Sequence, residues 1–416
     1  MSIPDFCLVL VFGERPLVRL DRVLADLDPT QIIDDDMVAA VSRARADTDN
    51  LDSALQRLVD EVELRLRQRL LTVVYAGDLT KAERGALIQT AKRCFAKTIA
   101  IVVEVDSTGA HGSGGRTVGR LTGEGLSDVI RISDETGLMR VLGERQALSC
   151  DRRSECGPFD IIGDVHGCRD ELIELLGQLG YGVTFRGQGS RRKVSVSPSA
   201  GRRLVFVGDL VDRGPASPDV LRLVMEMVER NQAFCVLGNH DSRYMRYLQG
   251  RDIRLTHGLE ATVSQFRAET QQLRDEVRVF FEIMPYQLWL HEGDLVVAHA
   301  GVREDMIGRD GGAVREFCLF GDRSGGKDEM GLPVRYHWAL EYGGDPAILY
   351  GHTPVPEAEW VNNTLCLDTG CVFGGQLTAL RWPEREIVSV PARKAYVQRF
   401  RPFGHPPPRP TASDDC

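Results

Sequence analysis

Apolar and polar positions follow two recurring spacings along this chain. Residues 7–12 (Cys-Leu-Val-Leu-Val-Phe) form an unbroken apolar run of strand length. Within 53–70, Leu55, Leu58, Val59, Val62, Leu66 and Leu70 recur every three or four positions, which predicts an amphipathic helix. Residues 71–75 predict a second strand, 81–95 a helix and 98–105 a third strand. Strands alternating with helices imply an α/β unit on a parallel sheet. Residues 107–125, rich in Gly, Ser and Thr, predict a mobile loop.

A polar stretch with Gly and Pro at 151–158 interrupts this pattern and predicts a domain boundary. A new strand starts at 159–162. Leu172, Leu175, Leu176 and Leu179 mark one face of a helix over 170–180. Residues 182–207 predict a hairpin: alternating Lys193 to Ser197, a turn at 198–201, then 203–207. The runs 234–237, 295–298, 347–350 and 364–367 predict further strands. From Arg401 onward, five prolines within 402–410 predict a disordered tail. The expected layout is a first domain at 1–150, a linker at 151–157, a second domain at 158–393 and a Pro-rich tail at 394–416.

Composition narrows the function classes. A chain of 416 residues with 43% hydrophobic and 27% charged content has the profile of a soluble, two-domain globular protein. A formal charge of −9 does not suit a bulk nucleic-acid binder. The N-terminus lacks the basic and apolar regions of a secretion signal, and no apolar run spans a membrane, so a cytoplasmic location is expected. The ten cysteines form no Cys-x-x-Cys pair and predict reduced thiols rather than a thiolate zinc site.

The candidate chemistry lies in five short motifs, each following an apolar run. They are Gly163-Asp164-Val165-His166-Gly167, Gly208-Asp209-Leu210-Val211-Asp212-Arg213-Gly214, Gly238-Asn239-His240-Asp241, His299-Ala300-Gly301 and Gly351-His352-Thr353. Gly-Asp after a strand is a common turn, and a lone His-Ala-Gly carries no message. The conjunction does: four of only nine histidines, at 166, 240, 299 and 352, occupy these motifs. Carboxylates, an amide carbonyl and imidazoles suit two divalent ions, which neutralise a phosphate and acidify a bridging water. Asp209 is the candidate shared carboxylate.

The ordered set resembles the phosphoprotein-phosphatase branch of the binuclear metallophosphoesterases. That resemblance implies a calcineurin-like β-sandwich flanked by helices. It assigns Asp164, His166 and Asp209 to one metal, with Asp209 also serving a second metal held by Asn239, His299 and His352. It makes Arg213 a phosphate clamp, His240 a general acid and Asp212 the group that orients His240. The implied cofactor is a pair of divalent ions, manganese first, with nickel, iron or zinc as substitutes.

A closer resemblance, to the phosphatase module of bacterial polynucleotide kinase-phosphatases, covers about residues 158–393. It is carried by Phe159 to Cys168, Leu332-Pro333-Val334-Arg335-Tyr336, residues 350–355, Asp368-Thr369-Gly370-Cys371-Val372-Phe373-Gly374-Gly375 and residues 377–384. It implies Asp368 near the active centre, with Arg243 and Arg246 near the substrate. In that family a P-loop kinase precedes the module. Here the turn Gly13-Glu14-Arg15-Pro16-Leu17-Val18-Arg19-Leu20 lacks the second glycine, lysine and hydroxyl of a phosphate cradle. Only Arg116 and Arg120 could serve as lid arginines. The expectation is a degenerate P-loop-like α/β domain unable to phosphorylate. No stretch resembles the family's ligase-type domain.

Three functions follow. The first is hydrolysis of phosphate esters by a bridging hydroxide at nucleotide or RNA ends (2′,3′-cyclic, 2′- or 3′-phosphate), helped by the basic cluster Arg186, Arg191, Arg192, Lys193, Arg202 and Arg203. The second keeps the site but makes the chain a serine/threonine protein phosphatase or a dinucleoside polyphosphate hydrolase. The third is a regulatory role set by a protein partner of the N-terminal domain.

Overall fold

The computed structural model describes residues 2–13, 31–33, 35–104, 121, 123–199, 201–327, 333–398 and 403–410. Two compact units emerge: Met1–Leu148 with Arg309–Gly311, and Ser149–Gly308 with Gly312–Cys416.

The first unit is a four-stranded parallel sheet. Its elements are β1 (Leu8–Phe12), α1 (Asp35–Arg43), α2 (Thr48–Arg67), β2 (Thr72–Tyr75), α3 (Lys81–Arg93), β3 (Thr98–Val103), β4 (Asp128–Ile132) and α4 (Glu135–Gly143). The strand order is β2-β1-β3-β4, every pair parallel. Central β1 is buried on both faces, which is why its sequence is continuously apolar rather than alternating. Leu8, Leu10 and Phe12 enter one core, and Cys7, Val9 and Val11 another. Thr80 and Glu83 form a capping box that starts α3. The turn at 14–20 and the lid candidates Arg116 and Arg120 lie outside the described residues.

The second unit holds two five-stranded sheets. It runs β5 (Phe159–Ile162), α5 (Arg169–Gln178), β6 (Gly182–Arg186), β7 (Lys193–Ser197), β8 (Arg203–Phe206), α6 (Ser217–Glu229), β9 (Ala233–Cys235), α7 (Asn239–Leu248), α8 (Leu259–Phe266) and α9 (Gln271–Ile283). Then come β10 (Gln287–Leu290), β11 (Leu295–Ala298), α10 (Gly312–Phe320), β12 (Arg323–Lys327), β13 (Pro333–Arg335), β14 (Ala347–Tyr350), β15 (Trp360–Val361), β16 (Thr364–Cys366), β17 (Gln376–Trp382) and β18 (Glu386–Pro391). The sheet orders are β9-β8-β5-β17-β18 and β10-β11-β14-β16-β15. Phe159, Ile161 and Val205 of one sheet share a core with Leu288, Val297, Leu349 and Leu365 of the other. The other face of the first sheet packs on α5, α6, α8 and α9. This is a sandwich with helices outside.

Three expectations need correction. Lys193–Ser197 pairs antiparallel with Gly182–Arg186, so the hairpin turn lies at 187–192 rather than 198–201. Arg203–Phe206 instead joins β5 in parallel, as expected of a segment whose Leu204, Val205 and Phe206 are all buried. The 151–157 stretch is not a free linker: Trp289 donates to the Cys150 carbonyl at 2.8 Å, and the Arg152 amide donates to the Trp289 carbonyl at 2.8 Å. The tail is held at 403–410 by polar contacts rather than by an apolar core. His337 N donates to Pro407 O at 2.8 Å, Gly404 N to Pro354 O at 3.1 Å, and Arg409 to both oxygens of Asp322. Among the described residues no helix is long and apolar enough to cross a membrane, and the nine described cysteines are free thiols.

Candidate active site

Strands β5, β8 and β9 run parallel in one sheet, and β11, β14 and β16 run parallel in the other. Asp164, Asp209, Asn239, His299, His352 and Asp368 each follow the carboxyl end of one of these strands. Crevices beyond the carboxyl ends of parallel strands are where α/β sheets build sites, because loops there converge.

The loops converge under strain. His166, Asp209, Asp212, Arg213 and His352 all have positive φ, between 44° and 75°. Such backbone costs about 1–3 kcal/mol per non-glycine residue, and folds keep it where function or packing over-determines it. Close approach explains two of the neighbouring glycines. A Cβ on Gly351 would overlap Asp164 Oδ1, and one on Gly238 would overlap Asp209.

Asp209 is central. Its Oδ2 lies 3.6 Å from His166 Nε2 and 3.4 Å from His299 Nε2, while Oδ1 accepts from the His240 amide at 2.9 Å. Two donor groups share it: His166, Asp209 and His240, and Asp209, His299 and His352, each with ligand atoms within 4.8 Å of one another. The histidines are oriented from behind, as is usual at metal sites. His166 Nδ1 meets Val211 O at 2.8 Å and His299 Nδ1 meets Val207 O at 3.1 Å, leaving both Nε2 atoms inward. His299 Nε2 also lies 2.9 Å from Asn239 Oδ1 and 3.1 Å from His352 Nδ1.

Asp164 accepts from the His352 amide through Oδ2 at 3.1 Å, but its buried Oδ1 has no partner. His352 Nε2 is likewise buried without one. Burial, then the charges of Asp368 and Asp209, push the Asp164 carboxyl well up from its ordinary value. Burial and Asp241 do the same to Asp209. Burial drives the His166, His240 and His352 imidazoles well down, and His299 to about 3. Neutral imidazoles facing mutually repelling carboxyls make a donor set suited to cations. Carboxylate, amide oxygen and imidazole nitrogen at this spacing fit divalent ions of the manganese, iron or zinc type.

Arg213, His240 and Asp212 close one side. Arg213 donates through Nη1 to His166 Nε2 at 2.6 Å and through Nη2 to His240 Nε2 at 2.9 Å. His240 Nδ1 lies 2.7 Å from Asp212 Oδ2. Asp212 Oδ1 accepts from the Thr262 hydroxyl at 2.6 Å, and the Asp212 amide donates back to that hydroxyl at 2.9 Å. Asp368 accepts from Gly370 N at 3.0 Å, and its charge reaches Asp164.

Four participants have no role in the sequence reading. Asp241 accepts from Leu210 N at 2.9 Å and Gly238 N at 3.1 Å, binding the 208–214 and 238–241 loops together. Phe373 lies under the Arg213 guanidinium, 5.1 Å from its ring centre. Arg335 lines a small cavity with His352; burial and Arg323 lower its pKa to about 10, and its Nε has no partner. Thr262 is the fourth. Asp241, Phe373 and Arg335 lie inside quoted motifs, whereas Thr262 carries no local signal.

Comparison with known proteins agrees with this geometry. The family model for calcineurin-like phosphoesterases matches residues 157–356. The asymmetrical bis(5′-nucleosyl)-tetraphosphatase PrpE of Anoxybacillus flavithermus is 47% identical over 250 residues, covering 59% of this chain and 99% of that protein. Its namesake in Halalkalibacterium halodurans is 48% identical over 250 residues, covering 59% and 98%, and that of Bacillus subtilis is 43% identical over 250 residues, covering 59% and 99%. With a shared carboxylate between two donor groups, at a spacing that suits the two divalent ions this family uses, the chain belongs to the calcineurin-like phosphoesterases and is a metallophosphoesterase.

Proposed function

We propose that this chain hydrolyses the phosphoanhydride of a dinucleoside polyphosphate, with Asp209 shared between two divalent ions. The observation that carries the substrate class is the 47% identity to a bis(5′-nucleosyl)-tetraphosphatase across nearly that protein's whole length. The RNA-end reading rests on the resemblance carried by Asp368–Gly375, helped by the basic cluster at 186–203, and half of that cluster is already committed. Arg192 pairs with Asp219, Arg202 with Asp160 and Glu384, and Arg203 with Glu155. Arg186, Arg191 and Lys193 stay exposed on the hairpin.

Asp164, whose Oδ1 is buried without a partner, would join His166 and Asp209 around one ion, leaving His240 of that donor group for proton transfer, and Asp209, Asn239, His299 and His352 would hold the other. Manganese suits this mixed set of oxygen and imidazole donors, with nickel, iron or zinc as substitutes. When bound, the ions neutralise phosphoryl oxygens and supply a water acidified to a nucleophile. Arg213, held by Phe373, offers two forked donors to non-bridging oxygens, and Arg335 offers a second guanidinium beside His352. Where the leaving oxygen is basic, as in an alkyl ester, His240 moves a proton to it, kept in orientation by Asp212 and Thr262; a nucleotide leaving from an anhydride needs no such proton. Without substrate, burial and the Arg213 charge hold His240 neutral. An anionic phosphate that draws Arg213 onto its own oxygens offsets that charge and favours the imidazolium. Asp368 adds negative charge beside Asp164, favouring cation capture.

Purified protein, tested separately with manganese, nickel, zinc and magnesium, should be offered diadenosine tetraphosphate, a 2′,3′-cyclic nucleotide, a 3′-phosphorylated oligoribonucleotide and a phosphopeptide. The expected order of kcat/KM puts the dinucleotide first. A higher value for the cyclic nucleotide or the RNA end would return the substrate to the RNA class. A higher value for the phosphopeptide would make the chain a protein phosphatase.

A further inference from the structure

A cleft of about 380 Å³ opens beside Asn239, within the size range of small-molecule sites. Its lining includes Ser242, Arg243, Arg246, Arg254 and Phe320. One wall is a single helix face: Asn239, Ser242, Arg243 and Arg246 stand at i, i+3, i+4 and i+7 of α7. The helix starts at the proposed ligand Asn239, so the cleft leads directly away from the metal centre. Seven residues at 1.5 Å rise extend it by about 10 Å, further than one phosphoryl group reaches.

The facing wall is held in place rather than loose. Arg243 donates to Thr256 O at 2.9 Å, to Thr256 Oγ1 at 2.7 Å and to Arg254 O at 2.5 Å. Its guanidinium therefore fixes the 254–256 loop against α7, a positioning task rather than the substrate contact expected of it. Its charge is still felt at Asp212 and His240. Arg246 and Arg254 are exposed and project their charges at the cleft. Three arginines face one carboxylate, Asp252, so the cleft is cationic. Phe320, half-buried with Arg323 over its ring at 4.3 Å, gives the lining an apolar element.

We infer that this cleft binds the part of a nucleoside polyphosphate that lies beyond the scissile phosphorus, with Arg246 and Arg254 on its phosphates and Phe320 against its nucleoside. The inference rests on the dinucleoside polyphosphate reading above. A cationic channel ending in an apolar element matches an anionic chain capped by a base. It gives no reason for selectivity towards a short monoester, which ends at the metal centre.

The test is selectivity, measured on manganese-loaded full-length protein. The ratio of kcat/KM for diadenosine tetraphosphate to that for p-nitrophenyl phosphate should fall about tenfold in Arg246→Ala and in Arg254→Ala, and further in the double variant. Inorganic tripolyphosphate should inhibit the wild type more tightly than the double variant. Raising salt should raise KM for the dinucleotide in the wild type and much less in the double variant. A double variant that keeps both its selectivity and its tripolyphosphate inhibition overturns the cleft assignment while leaving the proposed function intact. A wild type that ignores the dinucleotide defeats the function itself and the inference with it. Loss confined to a 3′-phosphorylated oligoribonucleotide would assign the cleft to RNA instead.

Discussion

Two parallel sheets in this chain end in different chemistry. In the first unit, the strand ends open onto Gly13, Ala76-Gly77-Asp78 and Glu104. In the second, six strand ends present carboxylates, an amide and imidazoles to one point. Among the described residues, every cluster able to hold a cation lies in the second unit. Parallel topology supplies converging loops in both, so convergence alone does not make a site. What differs is that the second unit places buried charge where only a cation can compensate it, and holds strained backbone there to do so.

The experiments that break or sharpen this contrast run from large effects to none. Asp209→Ala should reduce turnover to background, because both donor groups lose their common member. Measuring turnover at saturating manganese distinguishes lost ligation from weakened affinity. His240→Ala should lower kcat by about 10²–10⁴ on an alkyl phosphate ester and much less on a nitrophenyl ester or an anhydride, whose leaving groups need no proton. Equal losses on all three would remove the proton-donor role. Arg213→Ala should cost about 10²–10³ in kcat while leaving metal content unchanged. Thr262→Val removes both hydrogen bonds between its hydroxyl and Asp212 and should lower kcat about tenfold, with the pH profile for alkyl esters altered more than KM. At the small end, deleting residues 1–148 should leave kcat/KM unchanged on small substrates. The relatives match with nearly their whole length over 59% of this chain, more than the first unit contains. A large loss on deletion would tie the first unit to catalysis and erase the contrast.

Legibility in the sequence followed the same division. The buried strands announce themselves as apolar runs, since both faces of Leu8–Phe12 or Phe159–Ile162 are covered. Asp35–Arg43 does not, because only Val38 and Val41 of its nine residues are buried. Asp128–Ile132 is an edge strand with Ile130 alone buried, too little signal to read. The hairpin partner is not legible, because alternation at 193–197 fits pairing with either neighbour, and only the burial of Leu204, Val205 and Phe206 decides it. At the site, the residues expected to ligate or clamp, and Asp212 behind His240, sit in legible motifs. Other orienting residues do not stand out. Thr262 lies on a helix with an ordinary amphipathic pattern, and its bond to Asp212 exists only once α8 packs beneath the 208–214 loop. Arg335 was visible as a letter in a segment but had no chemistry until folding put it beside His352.

The most direct test of the account is a count of bound ions. Metal analysis of manganese-loaded, desalted protein should find two ions per chain in the wild type and none in Asp209→Ala, with circular dichroism unchanged between the two. Fewer than two in the wild type, or two retained by the variant, would contradict a pair of cations joined through Asp209.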